Sequence, residues 1–220
     1  MSHLLRPIHS LLATIAGFLL PILCFSQPAP PVRSLYEQRT EHIILQQFDL
    51  SCGAAALATI LKYQHGLDTT ERRVALGLIS RDIYIADPEI LRIRQGFSLL
   101  DMTRYVDRLG YRAEALGGMD YADLLARVPA IVPVRMHGYS HFVVFRGELN
   151  GNVLLGDPAY GNRTLPASRF IKAWVDYAEF GRVAFTVHRR DSLIPPNQLT
   201  LSRDDFSLLM TTRNNRSNGS

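Results

Sequence analysis

Cysteine is nearly absent from this chain of 220 residues: only Cys24 and Cys52 occur. A disulfide framework is excluded. Lysine is just as scarce, with Lys62 and Lys172 alone, so the mild net charge of +4 is almost entirely arginine. No basic run with interleaved aromatics occurs, and a nucleic-acid partner is not expected. Beyond the first 26 residues no apolar run reaches the roughly 20 residues that a membrane-spanning helix takes. There is no internal repeat.

The first residues read as a secretory signal peptide spanning 1–26. Arg6 is the one formal charge, Leu11 to Leu23 is an apolar run broken by Pro21, and small residues lead to a cleavage point at Ser26/Gln27. Cys24 is a poor lipid-attachment site, since Leu23 stands where a small residue is needed. Cleavage leaves a periplasmic protein with no transmembrane segment and Cys52 as its single thiol. A lone exposed thiol in an oxidising compartment is a liability. Cys52 is therefore either buried or kept because it reacts. Residues 27–40 form a Pro-rich lead-in, 41–190 one domain, and 191–220 a polar extension with a disordered end and a short helix within Asp204 to Met210.

Cys52 sits at a change of pattern. His42-Ile43-Ile44-Leu45 reads as the end of a strand, Phe48 to Ser51 as a connection, and Cys52 to Gln64 as a helix rich in Ala and Leu. Ser51 is a good N-cap residue. Cys52 then lies in the first helical turn, where unpaired amides favour an anion, and the thiolate is the reactive form of cysteine. Gly53 and the alanines after it allow close approach. Gln46, six residues earlier, carries a carboxamide that could donate to an oxyanion.

The remaining pattern gives helices first and antiparallel strands later, an α+β arrangement. Helices are expected from Thr69 or Thr70 to Ser80, Pro88 to Arg94, Ser98 to Leu109, Tyr121 to Val128 and Ala167 to Tyr177. Strands are expected at Tyr111 to Ala115, Ala130 to Met136, His141 to Arg146, Val153 to Gly156 and Arg182 to Val187. Asn150-Gly151 marks a tight hairpin, because both residues tolerate positive φ.

His141 opens one strand of that hairpin and Asp157 closes the other, so both fall at one end of the sheet. An imidazole there could take a thiol proton, and a carboxylate could orient it. His137, four residues earlier, is a rival. A two-residue turn pairs Leu149 with Asn152, and strict alternation then puts His141 and Asp157 on opposite faces. A bulge, or an early exit of Asp157 from its strand, is needed to bring them together.

The order Gln, Cys, His, Asp suits a papain-like cysteine hydrolase, and the chain resembles the C39 peptidases from about Glu41 to Val187. Gln46 with Ser51-Cys52-Gly53-Ala54-Ala55 is similar to the family's Gln…Asp-Cys-Gly-x-Ala signature, with Ser51 in place of Asp. Gly96-Phe97-Ser98-Leu99-Leu100, Leu109-Gly110-Tyr111, Pro129-Ala130-Ile131, His141-Phe142-Val143-Val144 and Gly156-Asp157-Pro158-Ala159 match further family segments. The resemblance implies a papain-like fold, with N-terminal helices packed on a C-terminal antiparallel sheet. It implies Cys52 as nucleophile, His141 as general base, Asp157 as orienting acid and Gln46, or its neighbour Gln47, as oxyanion donor. The Cys52 amide would be the second donor. No metal or cofactor is implied. Exporter-linked members cut leader peptides, often after Gly-Gly; the signal peptide here points instead to protein substrates outside the cytoplasm, such as amyloid-fibre subunits or export machinery. The alternatives are a non-catalytic module that binds an unfolded export substrate, and an amidase acting on cell-wall peptides.

Overall fold

A computed structural model describes residues 34–80, 85–87, 89–93, 96–136, 138–191, 193–203 and 205. The expected signal peptide, the first half of the Pro-rich lead-in (27–33), His137 and the last residues of the chain lie outside them. So does the expected Asp204 to Met210 helix, apart from Asp205.

The helices come first. Helix α1 (Leu35–Thr40) is closed at its start by a Ser34/Glu37 capping box. Helix α2 (Cys52–Thr59) runs on into a π-helical turn, Ile60–Gln64, so the helical span is the expected one. Thr70 caps α3 (Glu71–Ile79) by accepting from the Arg73 amide. Helix α4 (Glu89–Ile93) is followed by α5 (Leu99–Arg108), which opens on a Ser98/Asp101 capping box. Strand β1 (Tyr111–Leu116) and the short α6 (Tyr121–Leu125) lead into the sheet. Helix α6 stops earlier than expected. Val128 precedes Pro129, and the residue before a proline is pushed out of the helical region.

Strands β2 (Ala130–Met136), β3 (Tyr139–Leu149), β4 (Asn152–Asp157) and β5 (Gly161–Pro166) form a meander. Helix α7 (Ala167–Ala173) follows, then a two-residue hairpin of β6 (Asp176–Tyr177) and β7 (Gly181–Arg182), and last β8 (Ala184–Arg189). Helix α7 is shorter than expected. Trp174 turns extended to bridge Val134, and its indole N–H donates to the Val183 carbonyl at 2.9 Å. The six-stranded antiparallel sheet has the order β1-β8-β2-β3-β4-β5.

Helices cover both faces of the sheet. On one side Ile131, Val144, Phe185 and Val187 pack against Leu57, Leu61, Leu78 and Met102 of α2, α3 and α5. On the other, Val132, Val143, Phe145 and Leu155 pack against Leu124, Phe170 and Trp174. A sheet buried on both faces explains why the central strands are apolar almost throughout.

Further expectations change. The His42–Leu45 run is no strand. It is an irregular segment held by single bonds, Ile44 N–H to Thr59 Oγ1 at 3.0 Å and Gln46 N–H to the Pro158 carbonyl at 2.9 Å. Ser51 makes no side-chain cap, because its hydroxyl is engaged by the Phe48 carbonyl and the Glu71 carboxylate. Strand β5 has no counterpart in the sequence pattern, since Gly161-Asn162-Arg163-Thr164 has no apolar alternation. In addition, part of the expected polar extension folds back on the domain. Leu199 is buried in the core, and the Asn197 and Gln198 amides bond to the Gln64 and Tyr63 carbonyls.

One irregularity matters most for function. The hairpin begins as expected, with Leu149 opposite Asn152 and Gly147 opposite Leu154. The register then shifts, so that Phe145 faces Leu155 and Val144 faces Gly156, leaving Arg146 as the extra residue of a β-bulge. The buried guanidinium of Arg146 is held by the Leu199 carbonyl at 3.2 Å and by Asn162 Oδ1 at 3.2 Å. Gly147 has φ +133°, and a Cβ there would lie 2.7 Å from Leu201 Cδ1. Gly147→Val is therefore expected to destabilise the fold by about 1–3 kcal/mol, read as a lowered urea midpoint with unchanged slope.

Candidate active site

The bulge resolves the phase of the hairpin. Val144 opposite Gly156 puts Asp157 in line with Val143, two residues from His141. Residues two apart on a strand share a face. His141 and Asp157 are therefore on the same face, and His141 Nε2 lies 2.7 Å from Asp157 Oδ1. Both are buried, at 6% and 1% exposure.

Asp157 is held from several directions. Its Oδ1 also accepts from the Ala159 amide at 3.0 Å, in the tight turn after Pro158. Its Oδ2 faces Arg163 Nη1 at 3.3 Å. Arg163 reaches it from β5, where Asp157 pairs with Gly161 and the residue two further along points the same way. Burial raises the Asp157 pKa. The His141 hydrogen bond and charge, the Ala159 amide and Arg163 outweigh it, and the carboxyl stays below its ordinary range.

Cys52 arrives from the other direction. It is the first residue of α2, and Gly53 allows the helix start to lie against β3: a Cβ on Gly53 would sit 2.9 Å from Met102 Cε and 3.4 Å from a ring carbon of Phe142. Phe142 is the neighbour of His141, so this contact seats the thiol beside the imidazole. Burial lowers the His141 pKa, but hydrogen bonds to Asp157 and Cys52 raise it further, from 6.5 to about 9. The charged form of the imidazole is thus favoured by its surroundings. Cys52 itself is 8% exposed.

Cys52 and His141 line a cavity of about 470 Å³. Its wall is mainly apolar, with Phe97, Leu99, Leu116 and Phe142 facing Tyr177 and Phe180 of the β6–β7 hairpin. Gln46 is tied to the turn after Asp157 by its bond to the Pro158 carbonyl. Its Oε1 is buried and has no hydrogen-bond partner among the described residues. Gln47 is exposed, and its amide is bound to Glu71. The structure thus brings Cys52, His141 and Asp157 together and fastens Gln46 at the same end of the sheet. Sequence reasoning missed Arg163 and Glu71. Arg163 lies on an unrecognised strand. Glu71 opens a helix, where an acidic residue is ordinary.

The chain matches the model of the peptidase C39 family over residues 40–180. It belongs to that family. Curated relatives include two named "Probable functional amyloid protease FapD". That of Pseudomonas aeruginosa is 40% identical over 171 residues, which is 77% of this chain and 73% of the relative. That of Pseudomonas fluorescens is 39% identical over 143 residues, 65% of this chain and 61% of the relative. The C39 membership and these names support a peptidase role. Solved C39 domains share the fold. The peptidase domain of Streptococcus ComA, a bifunctional ABC transporter of a quorum-sensing pathway, superposes with a TM-score of 0.51 at 21% identity, covering 68% of this chain and 99% of that domain. A double-glycine-motif protease from an AMS/PCAT transporter, solved with its leader peptide, gives 0.50 at 20% identity, covering 67% of this chain and 90% of that one.

Proposed function

We propose that this C39 protein is a periplasmic cysteine endopeptidase acting through Cys52, His141, Asp157 and Gln46 on proteins of a secretion or amyloid-fibre assembly pathway. The observation that carries the chemistry is the buried His141–Asp157 pair, with Cys52 as its neighbour at the wall of one cavity. An imidazolium favours a thiolate beside it. The thiolate attacks the scissile carbonyl carbon, and the oxyanion takes hydrogen bonds from the Gln46 carboxamide and the Cys52 amide. As the C–N bond breaks, His141 gives its proton to the leaving amine and a thioester remains. His141 then takes a proton from water, the resulting hydroxide attacks the thioester carbonyl and displaces the Cys52 thiolate, and the new carboxyl terminus is released.

Asp157 keeps the imidazole ring turned with Nε2 toward itself, which leaves the other ring nitrogen for Cys52. Gln46 suits the donor role better than Gln47, whose side chain is exposed and whose backbone is committed to Glu71. The fibre-assembly setting rests on the names of the relatives, and the periplasmic location on the leading 26 residues.

The test is to incubate the purified protein with unfolded fibre subunits of its own bacterium and to map new termini by mass spectrometry. Discrete cuts support the endopeptidase. Stable binding without any cut supports the alternative, a module that holds an unfolded export substrate.

A further inference from the structure

Between Gln46 and Cys52 the backbone makes a tight, irregular turn. Leu50 sits at φ +61°, a conformation leucine rarely adopts. The turn is closed on one side by Gly96, where a Cβ would come within 2.9 Å of the Leu50 carbonyl oxygen. On the other side stands Glu71, the first residue of α3, only 3% exposed. Its carboxylate accepts from the Gln47 amide at 3.0 and 2.9 Å and from the Phe48 amide at 3.4 Å. The single hydroxyl proton of Ser51 is shared between Glu71 Oε1 and the Phe48 carbonyl, 2.6 Å away. Glu71 makes no ion pair among the described residues. All the hydrogen bonds described for its carboxylate come from this one turn.

A buried carboxylate spent on one five-residue connection needs a reason. Ordinary loops are held by water or by their own turn chemistry. This one joins the carboxamide donor to the nucleophile. An oxyanion hole works only if its donors are held where the charge develops, without reorganising during the reaction. We propose that Glu71 is a positioning residue of the oxyanion hole: by clamping Gln47, Phe48 and Ser51 it sets the placement of Gln46 relative to Cys52. The inference rests on the endopeptidase reading above.

Two probes that need no knowledge of the natural substrate separate the effects. Acylation of Cys52 by p-nitrophenyl acetate passes through a tetrahedral oxyanion. Alkylation by iodoacetamide displaces iodide at a saturated carbon and forms none. Glu71→Gln keeps the shape but turns one acceptor into a donor facing an amide. It is expected to slow acylation about 10- to 100-fold, less than outright loss of an oxyanion donor typically costs, while alkylation stays within about twofold. In a Gln46→Ala background the same substitution should slow acylation by less than about threefold further, because the donor it aims is already gone.

Ser51→Ala removes only one member of the clamp and provides a milder variant should Glu71→Gln fold poorly. It is expected to act in the same direction with a smaller effect. Equal slowing of both reactions, or an equal cost with and without Gln46, would overturn the positioning role. Failure of the parent protein to react with either reagent until it is unfolded would instead overturn the nucleophile assignment beneath it.

Discussion

Cys52→Ala is expected to remove peptide hydrolysis, with a loss on the order of 10⁴-fold or more, and to leave the fold intact. Both halves follow from position. As the first residue of α2 its side chain is at the cavity wall and carries no helix-packing load comparable with that of Leu57 or Leu61, which are fully buried. Alanine is the best helix former and fits the space. Losing one sulfur atom leaves a small gap beside a cavity that is already there, so the thermal midpoint should shift by only a few degrees. Mass spectrometry of a fixed-time digest measures the first half and circular dichroism the second. Full activity in this variant would remove Cys52 from the chemistry. Loss of the folded signal would mean that the cysteine is structural.

His141→Ala is expected to cost about as much as the loss of Cys52, whereas Asp157→Asn should cost less and also move the pH profile. An asparagine oxygen can still accept from the imidazole and hold the ring. It cannot supply the negative charge that, with Cys52, raises the His141 pKa to about 9. The competent form needs His141 charged, so the alkaline limb of kcat/KM should lie near pH 9 in the parent protein. In Asp157→Asn it should move to lower pH, because burial then meets less opposition. The same linkage bears on stability. The folded pKa of His141 exceeds its unfolded value, so its stabilising contribution is complete below about pH 6.5 and fades as the pH rises through about 9. Parallel pH–rate profiles of the two proteins measure this. An unmoved alkaline limb, or a larger loss in Asp157→Asn than in His141→Ala, would contradict the assigned roles.

Local chemistry made much of this fold legible. The Ser98 and Thr70 caps, the helix from Cys52 to Gln64 and the Asn150-Gly151 turn rest on interactions within a few residues of each other, and all occur. The candidate residues were legible too, through their types and order. What lay beyond the sequence was their phase. Ideal alternation sets His141 and Asp157 on opposite faces, and one extra residue in β3 reverses that. The trace of the bulge was there, in an arginine and a glycine interrupting the apolar run Val143-Val144-Phe145. Its cause was not, since Arg146 is held by Leu199 and Asn162, distant in sequence. Glu71 is hidden for the same reason: it acts on a turn about twenty residues away in sequence, and an acidic residue at a helix start is ordinary. Arg163 reaches Asp157 across one tight hairpin and is hidden because β5 carries no apolar alternation.

The most direct test of the account is the rate at which iodoacetamide labels Cys52 at neutral pH, in the folded protein, in its His141→Ala variant and in the parent unfolded by denaturant. The folded protein is expected to label faster than the unfolded chain, and His141→Ala to abolish the excess, because the imidazole held by Asp157 is what would activate the sulfur beside it. Labelling that begins only when the protein unfolds would show a buried structural cysteine, and the binding module would replace the peptidase.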